Sequence, residues 1–250
     1  KIKKKINSKT RVIIPVHLYG SSSDLSGIKK LINNKNIKII DDCAQAHGAY
    51  DDSIRIKKRI GSTADISCFS FYPGKNLGAY GDAGVITTNN KKFYRIIKKI
   101  RNLGSEVKFK HDLVGMNSRL DSIQSIILNH KLKQLPKLNS KRRKIASEYD
   151  NKIINKKIEK LRYSKFSIYH QYVLIVKKRN EFIKYLKKAK IQYGFHYPYA
   201  IHQLDALKKY FQKEKFPNSE MLAKYGISIP IDPNLSKKKI NYIIGKLNSF

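Results

Sequence analysis

Three side chains in the first third of this 250-residue chain have the type and placement to do chemistry. Asp42 follows the apolar run Ile37-Lys38-Ile39-Ile40-Asp41 and opens the stretch Asp42-Cys43-Ala44-Gln45-Ala46-His47-Gly48. A carboxylate at the C-terminal end of a strand in an open α/β sheet points into the ligand crevice. Lys75 lies just beyond the aromatic segment Phe69-Ser70-Phe71-Tyr72, in a loop of small residues. Such a setting desolvates an ammonium group, lowers its pKa toward neutrality and makes the amine nucleophilic. Ser70 precedes Lys75 in the same segment, and Gly74, Gly78, Gly81 and Gly84 crowd the same loop. Hydroxyls and free backbone N–H groups of this kind suit a phosphate.

Each of these has a plainer explanation when taken alone. A strand-end Asp more often caps a turn, one Lys among many is normally solvated, and Gly-rich loops are usually only turns. His17, His47 and His196 read individually as packing or hydrogen-bonding residues. Cys43 and Cys68 read as small core residues, and no His/Cys/Asp group has metal-ligand spacing, so no metal is expected. The combination on successive strand ends changes the balance. It supplies an amine for a Schiff base, an acid for a pyridinium nitrogen and donors for a phosphate, which is the set that pyridoxal phosphate (PLP) requires.

The elements that must carry these residues can be read from the hydrophobic pattern. Arg11-Val12-Ile13-Ile14-Pro15-Val16-His17-Leu18 predicts a buried strand turning at Tyr19-Gly20, and residues 37–40 a second, closed by Asp41-Asp42. Residues 66–71 and 84–88 predict a third and a fourth. Leu25, Ile28, Leu31 and Ile32 recur at helical spacing after Asp24, an N-cap candidate; Phe93, Ile96, Ile97 and Ile100 do the same. A further helix is expected from about 119 to 132, with Leu120, Ile123, Ile127 and Leu128 on one face. Strands alternating with helices indicate an α/β domain with a mostly parallel sheet. After Pro136 the texture changes. A separate basic helix (141–149) leads to a smaller α+β region with a strand at 172–176 and helices near 181–188, 219–224 and 237–247, so the boundary is placed near residue 140.

The formal net charge of +35 would ordinarily suggest a nucleic-acid partner. Its distribution argues otherwise. The excess is mostly Lys, it accompanies abundant Ile, Asn and Tyr (residues with A/T-rich codons), and it falls in scattered runs such as Lys3-Lys4-Lys5, Lys57-Lys58-Arg59, Lys141-Arg142-Arg143-Lys144 and Lys237-Lys238-Lys239. A dedicated binder concentrates charge and interleaves aromatics for stacking. No nucleic-acid and no membrane partner is expected, although a phosphorylated substrate would be drawn to such a surface. Two cysteines exclude a disulfide framework. No apolar run approaches the roughly 20 residues of a bilayer span, and a reduced, cytoplasmic compartment fits best.

The sequence resembles the DegT/DnrJ/EryC1/StrS family of sugar aminotransferases. The resemblance rests on Pro15-Val16-His17-Leu18-Tyr19-Gly20, on residues 42–49, on Cys68-Phe69-Ser70-Phe71-Tyr72-Pro73-Gly74-Lys75-Asn76-Leu77-Gly78-Ala79-Tyr80-Gly81-Asp82-Ala83-Gly84, on residues 115–124, and on His196-Tyr197-Pro198 and Ser228-Ile229-Pro230-Ile231, all in family order. It implies a fold-type I PLP-dependent transferase, with a PLP-binding large domain over 1–140 and a small C-terminal domain over 141–250. It implies PLP as cofactor, a Schiff base on Lys75 that later shuttles protons, Asp42 at the pyridine nitrogen, Gln45 at the phenolic oxygen and Ser70 at the phosphate. Asn117 would reach the phosphate of a neighbouring subunit, making the enzyme a homodimer with shared sites. Tyr72, Lys108, His196 and Tyr197 match positions that contact the nucleotide-linked sugar.

Asp42-x-x-Gln45 and the stretch 77–84 resemble enzymes of amino-sugar and polysaccharide biosynthesis that build 3-amino sugars on dTDP or UDP, with glutamate as donor. Amination at C-4, amination of a cyclitol, or a non-catalytic PLP-fold protein are the alternatives, and Lys75 speaks against a dehydratase. Family members begin upstream of this block with a Gly-Thr phosphate turn, so the expectation is that an N-terminal part is missing.

Overall fold

The computed structural model describes residues 1–33, 36–53, 58–212 and 214–250; Lys57 of the second basic run lies outside them. The chain forms two compact units, one of residues 1–139 with 164–170, the other of residues 140–163 with 171–250.

The first unit is mixed α/β. Its sheet runs in the order β1 (Val12–Ile13), β2 (Lys38–Asp42), β3 (Ile66–Ser70), β4 (Gly84–Thr87). The first three strands are parallel and β4 is antiparallel to β3. The run expected as one buried strand over 11–18 is instead a two-residue strand at the sheet edge, with Val12, Ile14 and Val16 exposed. Pro15 is the reason: it has no N–H to offer a ladder. The chain still follows β2, because the Pro15 carbonyl accepts from the Asp42 N–H (2.9 Å) and the His17 N–H donates to the Asp42 carbonyl (3.1 Å). Helix α1 (Leu25–Ile32) starts at Asp24, whose Oδ1 accepts from the Gly27 N–H at 2.8 Å. It buries Leu25, Ile28 and Ile32 against Ile37 and Ile39. Helix α2 (Lys91–Ile100) is capped by Asn90, which accepts from the N–H groups of Lys92 and Phe93. A small hairpin, β5 (Ser105–Val107) and β6 (Lys110–His111), comes next.

The two helices expected on either side of Pro136 are one. Helix α3 runs unbroken from Ser122 to Lys152 with the proline inside it. An interior proline costs a helix about 3 kcal/mol. Burial on both sides offsets that, each fully buried aliphatic side chain contributing about 1.5–3 kcal/mol. Leu128 and Leu135 pack with Leu77 and Ala79 in the first unit, while Ile145, Ala146 and Tyr149 are buried further along.

The second unit holds an antiparallel sheet in the order β7 (Glu159–Lys160), β8 (Tyr172–Ile175), β9 (Gly226–Ile229). Both β8 and β9 are buried throughout. The helices are α4 (Arg179–Lys188), α5 (Asp205–Lys208), α6 (Pro217–Tyr225) and α7 (Lys237–Asn248). Phe182, Leu186 and Leu247 complete this core. Among the described residues, no helix is long and apolar enough to cross a membrane.

Candidate active site

Strands β2 and β3 end side by side, with Asp42 opposite Cys68 in the register and Ser70 closing β3. This places the Asp42 carboxylate and the Lys75 loop at the same edge. The loop folds back tightly: the Lys75 N–H donates to the Tyr72 carbonyl (2.9 Å) and the Ala79 N–H to the Phe71 carbonyl (2.8 Å). Gly78 lies so close to its own loop that an added Cβ would stand 2.4 Å from the Pro73 carbonyl oxygen. Lys131 of α3 donates through Nζ to the Gly78 carbonyl (2.7 Å). Asn76 is held from three sides. Its Nδ2 donates to Asn139 Oδ1 (3.2 Å) and the Ile168 carbonyl (3.3 Å), and its Oδ1 meets His170 Nδ1 at 3.1 Å.

Burial holds the Lys75 ammonium below the ordinary lysine pKa, and the Asp42 charge acts in the opposite direction. The nearby His47 imidazole is pushed down to about 4, chiefly by burial, and the Lys75 charge adds to the effect. Its Nε2 lies 2.8 Å from the Ser70 carbonyl, and its Nδ1 has no partner among the described residues. A carbonyl only accepts, so the proton is on Nε2. Asp42 Oδ1 accepts from the Ala44 N–H at 3.0 Å, Gln45 Oε1 from the Tyr19 N–H at 2.6 Å, and Ser70 Oγ from the Tyr72 N–H at 3.3 Å.

The predicted residues therefore fall into three groups. Lys75, Asp42, Gln45 and Ser70 belong to one end of one sheet, with Tyr72 exposed beside them. Lys108 and Asn117 are exposed on and beyond the β5–β6 hairpin, the Lys108 Nζ lying 5.0 Å from the Phe109 ring. His196 and Tyr197 belong to the second unit. Sequence reasoning misses the supports. In the sequence alone His47 reads as a packing or hydrogen-bonding residue with nothing to name Ser70 as its partner, and Asn76, Asn139 and His170 carry no signal beyond the position of Asn76 next to Lys75.

Among the described residues, the buried side chains of His17, Asp41 and Cys43 bring potential ligand atoms within 4.8 Å of one another, a grouping that their spacing in the sequence does not show. His17 Nδ1 accepts from the Ser23 N–H (3.0 Å), so the proton is on Nε2, facing Asp41 Oδ2 at 3.5 Å. Burial, together with the Asp41 and Asp42 charges, pushes the Cys43 thiol far above its ordinary range.

The donor set fits a pyridoxal-type cofactor: a desolvated amine, a carboxylate that feels its charge, and the Ser70 hydroxyl at the head of a glycine-bearing loop. Comparison with known proteins agrees. Residues 1–248 match the DegT/DnrJ/EryC1/StrS aminotransferase family. The chain is 41% identical over 252 residues to the dTDP-3-amino-3,6-dideoxy-alpha-D-galactopyranose transaminase of Aneurinibacillus thermoaerophilus, covering 100% of this chain and 68% of that protein. It superposes on the crystal structure of S. venezuelae DesV in complex with a ketimine intermediate with a TM-score of 0.94 and 31% identity, covering 99% of this chain and 67% of that one. It superposes on NtdA of Bacillus subtilis, solved with bound cofactor PMP, with a TM-score of 0.85 and 26% identity, covering 99% of this chain and 58% of the other. The chain spans about two thirds of the length of the curated relatives it matches.

Proposed function

The chain belongs to the DegT/DnrJ/EryC1/StrS aminotransferase family, and on that premise we propose that it serves a PLP-dependent transfer of an amino group from glutamate to a keto group, at C-3, of a nucleotide-linked deoxysugar. One observation carries the reading: a lysine held below its ordinary pKa by burial, under the charge of a strand-end aspartate, within the residues that match the family. The first unit is assigned to the fold-type I large domain. The choice of C-3 is supported by the 41% identical relative, whose name specifies a 3-amino sugar.

When bound, PLP supplies an electron sink for the pair left behind as a C–H proton is removed. The chain's own residues do the rest. Asp42 would accept a hydrogen bond from the ring nitrogen and keep it protonated. Ser70 would donate to the phosphate. Gln45, three residues beyond Asp42, would contact the phenolic oxygen. Lys75 would hold the cofactor, and its Nζ would take a proton from one carbon and return it to another. Burial lowers its pKa, which favours the neutral amine that a general base requires. Lys108, Tyr72, His196 and Tyr197 are assigned to the nucleotide-linked sugar. Asn117 is assigned to the cofactor phosphate of a second copy, which makes the working unit a homodimer in the cytoplasm.

The test is a mass-spectrometric assay of the protein with dTDP- and UDP-linked ketosugars, glutamate and PLP. The expected product has the keto oxygen replaced by an amine, and Lys75→Ala abolishes it. Turnover retained by Lys75→Ala would sink the assignment.

A further inference from the structure

Strand β9 is buried along its whole length, and Ile227 and Ile229 pack into the core of the second unit. Between them stands Ser228, a hydroxyl only 4% exposed. An apolar residue would cost less there unless the hydroxyl has an acceptor. On one side Ser228 pairs in register with Val173 of β8. On the other it bridges Gly194, its N–H donating to the Gly194 carbonyl (2.8 Å) and its carbonyl accepting from the Gly194 N–H (3.1 Å). This pairing brings its side chain to His196, two residues beyond Gly194, where Oγ and Nδ1 are 2.8 Å apart.

We propose that Ser228, together with Gly194, is a positioning residue that fixes His196 as a neutral donor, with its proton on Nε2, for an oxygen of the sugar substrate. The inference rests on the assignment of His196 to the sugar made above. A buried O–H needs an acceptor, and among the described residues the one it has is His196 Nδ1. With Nδ1 accepting, the ring proton resides on Nε2. An imidazolium would set an N–H against that O–H and leave the hydroxyl proton without an acceptor. Gly194 gives the ring its room: a Cβ there would come within 2.8 Å of His196 Cε1. An Nε2–H donor matches a keto or hydroxyl oxygen and discriminates against a donor group.

The tautomer is read by NMR of protein labelled with 15N in histidine, the His196 ring being assigned by its loss in His196→Asn. The expected result is the Nε2–H tautomer, mixed or reversed in Ser228→Ala and retained in Ser228→Thr. In steady state, Ser228→Ala raises KM for the ketosugar about tenfold, the size of one net hydrogen bond, with a smaller change in kcat, and Ser228→Thr recovers it. An Nδ1–H tautomer in the parent protein overturns the proposal, as does a Ser228→Ala variant with unchanged tautomer and unchanged KM. The tautomer needs no turnover, so it decides this proposal even if no ketosugar is accepted and the aminotransferase reading itself falls.

Discussion

His47 donates from Nε2 to the carbonyl oxygen of Ser70 across 2.8 Å, tying the turn after β2 to the last residue of β3. The two strand ends that carry Asp42 and Lys75 are thus joined by one imidazole. Its ring stands near Phe69 and Phe71, at centroid distances of 5.5 and 5.7 Å. The neutral form is the one this setting accepts.

That neutrality has a pH signature. The folded pKa is about 4, against an ordinary value of 6.5. Between these values the unfolded chain binds a proton that the folded chain does not. Stability is therefore fully present above pH 6.5 and falls as the pH drops toward 4, by about 3 kcal/mol from this group. Urea unfolding midpoints measured from pH 8 to pH 4 should show this loss in the parent protein, and His47→Phe should remove that share of it. Identical pH profiles for the two proteins would contradict the assignment.

Lys75 and Asp42 oppose each other electrostatically in a way that can be measured without turnover. Burial lowers the amine pKa and the Asp42 charge raises it. Asp42→Asn removes only the second influence, so it should shift the Lys75 pKa further down. The pH dependence of Lys75 modification by an amine-reactive label, tracked by peptide mass spectrometry, reports this directly. In the parent the reactivity midpoint should lie below that of the exposed lysines, and in Asp42→Asn lower still. A midpoint that moves up in Asp42→Asn would mean that the carboxylate does not act on this amine.

Much of this site is local in sequence, which is why it can be read there. Asp42 and Ser70 sit at strand ends and Lys75 in the loop that follows, beside apolar runs and closing turns visible in the one-dimensional pattern, and the cap Asp24 precedes a periodic helix. The hidden part depends on distant partners. Pro136 looks like a helix end, because the pattern does not contain the burial of Leu128 and Leu135 that holds the helix through it. Strand β9 escapes detection because a four-residue run with a glycine and a serine has no clear period until β8 pairs with it. The return of residues 164–170 to the first unit leaves no pattern at all.

Asn139 is the clearest of these distant supports. It is 3% exposed, its Nδ2 donates to the His47 carbonyl at 2.8 Å, and its Oδ1 accepts from Asn76 beside Lys75. Asn139→Ala leaves both partners short of a hydrogen bond in a buried place, which costs about 2–4 kcal/mol for the two. Thermal unfolding should show the loss, and Lys75 should become more reactive to the same label as its loop loosens. Asn139→Asp keeps the acceptor toward Asn76 but loses the donor toward His47, so it should fall between. A fully stable Asn139→Ala protein would mean that these hydrogen bonds do not hold the loop.

The tightness of the Lys75 loop can be tested with two glycines four residues apart in chain position. A Cβ on Gly78 would lie 2.4 Å from the Pro73 carbonyl oxygen, a distance real Cβ atoms do not reach, and the atom in the way is backbone. The loop would have to open. Opening it strains the Lys131 bond to the Gly78 carbonyl and the Ala79 bond to Phe71 together, because both lie within the same turn. A Cβ on Gly74, on the other side of Lys75, would meet only the Tyr72 ring at 3.6 Å, an ordinary contact. Gly78→Ala should therefore lower stability by about 1–3 kcal/mol and weaken retention of PLP, measured by its absorbance after gel filtration. Gly74→Ala should change stability by less than about 0.5 kcal/mol. Equal effects from the two substitutions would show that the close approach of Gly78 to Pro73 is not what shapes the loop around Lys75.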